Sequence, residues 1–299
     1  MSEPTSPAAG VIHDIGYRHY DGPRLGRAAI TRALMVSSLR HAYGLGRSGK
    51  SKVMPLLLLA TMVVPAAIMV GIMNAMKMPD PIINPIEYAG LLQVVIALFL
   101  ASQAPQLFSR DLRYRSIVLY LARPPHRSDY ALAKLVALIG SLVILIGLPV
   151  FVLYVGALLA KQDFGTSTKQ FLLALVGAVL LSVLLAAIGG LIAAATPRRG
   201  FAVAAIIAVL LVSFTASTIT IAVVNQDIGG PMKTAARYAH LGSPFTLVDV
   251  LQTFLLRQVP DGGWIPTTQQ GIVFALVYVA IVAVCVWGIN QRYAKVARG

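Results

Sequence analysis

Apolar and polar positions alternate along this chain on the scale of whole helices, in six long apolar runs separated by charged or turn-rich connections. The runs cover residues 53–73, 88–109, 135–160, 170–195, 201–224 and 271–289, and none contains Asp, Glu, Lys or Arg. Each is close to the roughly 20 residues a helix needs to cross about 30 Å of hydrocarbon. A charge at the centre of such a helix costs about 2.5–3.5 kcal/mol on insertion scales, which accounts for the exclusion. The pattern predicts an all-α polytopic membrane protein with six transmembrane helices.

The connections carry patterns of their own. Over residues 24–43, Ile30, Ala33, Leu34 and Val36 recur at helical spacing, broadly opposed by Arg24, Arg27, Thr31 and Arg32. This predicts a basic amphipathic elbow helix lying on the membrane surface ahead of the first span. Gly44, Gly46 and Gly49 follow, as a flexible basic turn. The long connection 225–270 holds Pro231, Pro244, Pro260 and Trp264, with an amphipathic helix expected at 246–256. A connection of that length usually carries structure of its own, so short external helices dipping into the outer leaflet are expected between the fifth and sixth spans. Trp264 fits an interfacial anchor. The chain thus divides into an N-terminal arm and elbow (1–52), a six-helix domain (53–289) and a C-terminal tail (290–299).

Within the fourth run, Ala174, Ala178, Ser182, Ala186, Gly190 and Ala194 form a strip of small residues at every fourth position. Such a strip lets another helix approach closely, a packing signal and not a chemical one. Pro55, Pro65, Pro105 and Pro149 lie in or at the ends of the runs, where neighbouring groups can satisfy the freed carbonyls.

Composition changes the picture little: 57% of the residues are hydrophobic and 12% charged, about half the charged share of a soluble domain. Charge changes it more. The net charge of +14 would suit nucleic acid, but its placement does not. Segments 1–52, 110–134, 196–200 and 290–299 carry 19 Lys and Arg against five Asp and Glu. The alternate connections 74–87, 161–169 and 225–270 carry six of each sign. The whole excess lies on one face, so no nucleic-acid partner is needed. The positive-inside rule places that face and both termini in the cytoplasm of a cell, expected to be bacterial, with the chain in its plasma membrane. The first 52 residues lack an apolar core for a cleavable signal, so the first span is expected to be its own insertion signal.

Candidate chemistry is sparse. No phosphate loop, HExxH, GxSxG elbow or Cys/His cluster occurs, and no run holds paired carboxylates. His13 and His19, six apart with no Cys or Glu nearby, make a poor metal pair. The lone Cys285 reads as a packed thiol. Hence no catalytic residue, no metal site and no cofactor site is expected in this chain, and energy for uphill transport would come from another chain. Gln103 and Gln106 on the second run, and Ser213, Ser217 and Thr220 on one face of the fifth, are the uncharged polar positions open to two readings. They line a translocation path or hydrogen-bond between helices.

The densest charge between apolar runs is the stretch 110–134, RDLRYRSIVLYLARPPHRSDYALAK. An apolar turn at 117–121 is embedded in it and Pro124 and Pro125 end that turn. This suits a docking element, or else an ordinary positive-inside loop. The stretch resembles the segment between the second and third helices of type-2 ATP-binding-cassette exporter permeases. The matching positions are Asp111, Ser116, 119–122, Pro124, Arg127, Ala133 and Lys134; Asp111 where Glu is usual, Arg115 in place of a glycine and Val118 in place of a second acid depart from the pattern. Residues 241–245, LGSPF, are similar to the family's external region.

The resemblance implies a permease subunit of an exporter, with a second copy or a homologous permease and two cytoplasmic ATPase subunits that bind ATP and Mg. Asp111, Arg113, Arg115, Ile117, Leu119, Tyr120, Leu121, Arg123 and Arg127 would then form the coupling surface. An ATPase-independent membrane permease or a scaffold protein is the alternative.

Overall fold

A computed structural model describes residues 22, 26–78, 81–109, 127–196, 198–224, 233–257 and 264–296. Among them every regular element is a helix. In chain order these are α1 (Arg27–Ala42), α2 (Gly49–Ala75), α3 (Tyr88–Leu91), α4 (Gln93–Leu107), α5 (Arg127–Leu159), α6 (Phe164–Ala195), α7 (Arg199–Val224), α8 (Thr234–Ala239), a 3-10 turn (His240–Gly242), α9 (Pro244–Leu256) and α10 (Thr268–Val296). Five of them, α2, α5, α6, α7 and α10, are long and apolar enough to cross a membrane. The chain is a multi-pass membrane protein.

The antiparallel pair α5 and α6 forms the centre. Their turn is short because both ends are capped locally. Lys161 takes a left-handed backbone (φ 57°) and the Gln162 N–H reaches back to Ala157 O at 3.1 Å, closing α5. The Asp163 carboxylate then accepts from the Thr166 N–H at 2.7 Å and opens α6. Half of the most apolar window of α5 and of α6 is buried, against 17% for α2, α7 and α10. The outer three therefore present most of their apolar surface away from the bundle, as lipid- or partner-facing helices do. Helices α1 and α2 pack along α5, α10 along α6, and α4 between α7, α6 and α5.

The small-residue strip of α6 is buried along its length. At Gly190, a Cβ would stand 3.2 Å from Ile289 and 3.3 Å from Phe108. Beside it, a Cβ on Gly189 would meet Leu100 at 2.7 Å, so only glycine admits α4 this closely.

Two stretches differ from the apolar pattern. Residues 127–134, expected in the loop, form the first two turns of α5. Two of their charges, Asp129 and Lys134, find partners within the chain. The Arg27 guanidinium grips Asp129 through two hydrogen bonds, one of 2.7 Å from Nη2 to Oδ1. The Lys134 amine, 8% exposed, lies 5.5 Å from the Tyr130 ring centroid. The second run is broken at Leu92 (φ −108°, ψ 25°), which leaves α4 with 15 continuous residues, about 22 Å long. That is short of a bilayer core.

The N-terminal helix forms as expected, but its faces are divided otherwise. Ile30 and Leu34 are half-buried, whereas Ala33 and Val36 are exposed and the buried positions are Ser38 and Ala42. A helix set along α5 presents the residues that α5 touches, and this displaces the expected single apolar face. The elbow to α2 needs Gly44: its φ is +68°, and a Cβ there would lie 2.5 Å from Ser51 O.

The expected helix at 246–256 is α9, started two residues earlier by Pro244 in the first turn behind Ser243. Thr246 Oγ1 donates to His240 O at 2.7 Å and holds the preceding turn. Trp264 returns to this cluster, with Arg237 4.9 Å from its ring and His240 6.5 Å away. Burial pushes the His240 imidazole below its ordinary pKa.

Candidate functional site

Of the expected coupling residues, Asp111, Arg113, Arg115, Ile117, Leu119, Tyr120, Leu121 and Arg123 lie outside the described residues, and Arg127 opens α5. The backbone entering and leaving this segment is described. On one side, Ser109 Oγ donates to Ala193 O at 2.6 Å, tying the end of the second run to the end of α6. On the other, Tyr130 packs edge-on to Tyr293 of α10, ring centroids 5.7 Å apart. Arg292 Nε donates to Ala194 O at 3.3 Å, a cation at the negative end of the α6 dipole. Ser109 and Arg127, which flank this segment, therefore both lie at the end where α5, α6 and α10 are locked together. Near the middle of α5, the Tyr43 hydroxyl donates to Ser141 O at 2.7 Å, and burial raises its pKa well above the usual phenol range.

The five uncharged polar positions each have a local partner. Gln103 is 1% exposed and its Nε2 donates to Ser102 Oγ at 2.9 Å. Gln106 Nε2 donates to Ser102 O at 3.1 Å, and Arg47 reaches Gln106 Oε1 at 3.5 Å. On α7, Ser213 Oγ donates to Leu210 O and Thr220 Oγ1 to Ala216 O, within their own helix. Ser217 instead donates to Ala239 O at 2.8 Å and fastens α8 to α7. Ser217 thus makes the inter-element bond that its spacing allowed, while Thr220 stays exposed.

At the opposite end of the bundle lies an opening that the sequence pattern did not single out. It has about 1150 Å³ of empty space, including the part open to the outside. Its walls come from residues 85–87 and 89–91, Gln93, the C-terminal half of α5 (Ile146, Val150), the middle of α6 (Ala174, Gly177, Ala178, Leu181), Phe214 of α7 and one face of α9. The upper part of the small-residue strip is therefore a cavity wall.

Two carboxylates face this space. Glu87 is half-buried at the start of α3, and Asp249 is the one acid of the apolar helix α9. Asp249 is exposed at the mouth of the opening, yet the protein atoms crowded around its carboxyl, and then the charge of Glu87, raise its pKa above the ordinary carboxylate value. No Lys or Arg is among the lining residues described.

Beneath Asp249, Gln252 lies against Gly177 and donates from Nε2 to Leu173 O at 3.3 Å, seating α9 on α6. Tyr88 anchors the other rim, donating to Met62 O at 2.6 Å. Sequence reasoning missed the pair because its members lie on separate connections. The available signal was a single acid inside the otherwise apolar run 244–256. Among the described residues, no group of three or more His, Cys, Asp or Glu could hold a metal ion.

No protein-family model matches the chain, and no curated protein matches it.

Proposed function

We propose that this chain is the transmembrane permease subunit of an ATP-driven exporter, working with a second permease copy or a homologous permease and with two cytoplasmic ATPase subunits. The observation that carries the reading is the segment 111–134, a basic stretch with an embedded apolar turn between two apolar helices, with the motif positions given above. The one-sided charge supports it: 19 of 25 Lys and Arg lie on the face of that segment, where an ATPase would dock. Both termini are cytoplasmic on this reading. Helices α3 and α4 together act as the sixth crossing, since residues 88–107 amount to about 30 Å of helix. The turn 117–121 enters a groove on the ATPase in the helix-in-groove manner, with Arg113, Arg115, Arg123 and Arg127 as its rim. Gln103, Gln106, Ser213, Ser217 and Thr220 remain the proposed lining of a path. ATP and Mg sit on the partner, and this chain does no hydrolysis.

The test is to purify the tagged chain from its native membrane in mild detergent. A phosphate-loop ATPase is expected to co-purify in stoichiometric amount. Tyr120→Asp should lose it while still inserting, because central aromatic anchors cost about 2 kcal/mol or more and rim charges less. Arg113→Ala should retain it. Absence of any ATPase from the wild-type preparation would favour the permease or scaffold that works without one.

A further inference from the structure

We infer that the groove between α1 and the start of α5 holds an anionic phospholipid, its phosphate on Arg32 and an acyl chain along Met35, Val36 and Val136. This goes beyond the transport proposal and does not rest on it. It rests on the chain being a multi-pass membrane protein in which α5 is long and apolar enough to cross the bilayer.

The groove has a direction. Helices α1 and α5 run the same way: Arg27 meets Asp129 near their starts, and further along the Tyr43 hydroxyl reaches Ser141 O. Between these two ties the walls part. The charged residues Arg27, Arg32 and Asp129 line the first stretch, ahead of the apolar run of α5. One turn on, the walls are Met35 and Val136, and Val36 extends the apolar surface around α1. Leu132, Val136 and Val36 are exposed, although α5 is one of the two best-buried spans. A charged end followed by an apolar one, along a helix that enters the bilayer, is the order of a phospholipid headgroup and its chain.

Charge decides the headgroup. Arg27 holds both oxygens of Asp129, so that pair is neutral and its carboxylate is taken. Arg32 is exposed, borders the groove and also the outer side of α1, and has no partner among the described residues. Its own stretch of chain offers none, since residues 22–79 contain no Asp or Glu. A guanidinium in that position matches a phosphate through two parallel N–H donors. A zwitterionic phosphatidylcholine brings a cation as well, and the one carboxylate of the groove is already occupied by Arg27. Phosphatidylglycerol brings the phosphate without the cation. Arg40, on the same helix, is exposed but does not border the groove, so the site is narrower than the basic surface as a whole.

The experiment uses the full-length chain in detergent micelles, titrated with phosphatidylglycerol or phosphatidylcholine of the same acyl chains. Native mass spectrometry reads the bound lipids. The first phosphatidylglycerol is expected to bind about fivefold more tightly than phosphatidylcholine. Arg32→Gln should erase that preference, whereas Arg40→Gln, the same charge change outside the groove, should keep it. Ala28→Trp fills the groove beside Arg32 from an exposed position and should weaken both lipids. Helical circular dichroism and size-exclusion profiles identify the variants that are folded. Should Arg32→Gln fail to fold, Ala28→Trp and the two-lipid comparison still decide. Glycerol phosphate in large excess should not displace the lipid; displacement would make Arg32 a site for soluble anions and overturn the assignment. Equal affinity of the two lipids would overturn it too, leaving the groove to a protein partner. So would equal loss in Arg32→Gln and Arg40→Gln, which would make the preference a property of the basic surface at large.

Discussion

The two ends of the α5–α6 pair are built from the same kinds of residue and come out opposite. One strip of small side chains on α6 runs through both. Towards its C-terminus the strip meets Phe108, Ile289 and Leu100, large side chains that fill the space it leaves. Towards its N-terminus the partners are the short α3 and α9, whose Gln252 covers Gly177 and donates to Leu173 O but leaves the neighbouring small residues beside open space. There the strip borders an opening with two carboxylates. A small residue at helical spacing therefore specifies closeness only if its neighbour brings volume. The charge follows the same division: the filled end carries the basic excess, and the open end is neutral overall, with Glu87 and Asp249 bordering the opening.

If filling is what separates the ends, truncation should hurt them unequally. Phe108→Ala removes a fully buried ring and should cost about 3–5 kcal/mol. Phe214→Ala, on the wall of an existing opening, creates no new enclosed void and should cost less than half as much. Thermal unfolding in one mild detergent compares them, and equal losses would remove the distinction between a packed and an open end.

The elbow sharpens the comparison, since it sets α1 against the packed end. Gly44→Ala meets both a left-handed backbone and Ser51 O, and should cost about 2 kcal/mol. Gly46→Ala has the same sign of φ but open space around it, and should cost about half. Similar unfolding midpoints for the two would show that the close approach to Ser51 does not constrain the elbow.

The smallest effect lies at the α5–α6 turn, at the open end. The Thr166 N–H holds the Asp163 carboxyl below its ordinary value of 3.8. A depressed pKa adds stability that is complete above that value and is lost as pH falls through the folded-state pKa. Asp163→Ala should remove that acid-side dependence, leaving the neutral-pH helix content nearly unchanged. The pH dependence of the unfolding midpoint below about pH 5 is the measurement.

Much of the packed end was legible in the sequence. The runs at 170–195 and 201–224 became α6 and α7 with the same C-terminal residues, because an uncharged apolar run of that length has no other stable form in a bilayer. The first two turns of α5 were hidden because Asp129 and Lys134 resemble loop residues until Arg27 and Tyr130 are placed beside them. The break at Leu92 carried no Pro or Gly at the break itself. The open end was hardly legible at all. Glu87 and Asp249 lie on different connections, and nothing local to either forecasts the other. The partner volumes that leave the strip unfilled are likewise a property of the assembled bundle.

The claim on which the account depends is that these two ends face opposite compartments. With Cys285 replaced by Ala, single cysteines at Arg123 and at Gly90 report each end to a membrane-impermeant maleimide in intact cells. The account predicts that Gly90→Cys is labelled from outside and that Arg123→Cys is labelled only after the membrane is opened. Labelling of Arg123→Cys in intact cells, with Gly90→Cys protected, would contradict it and invert the whole assignment.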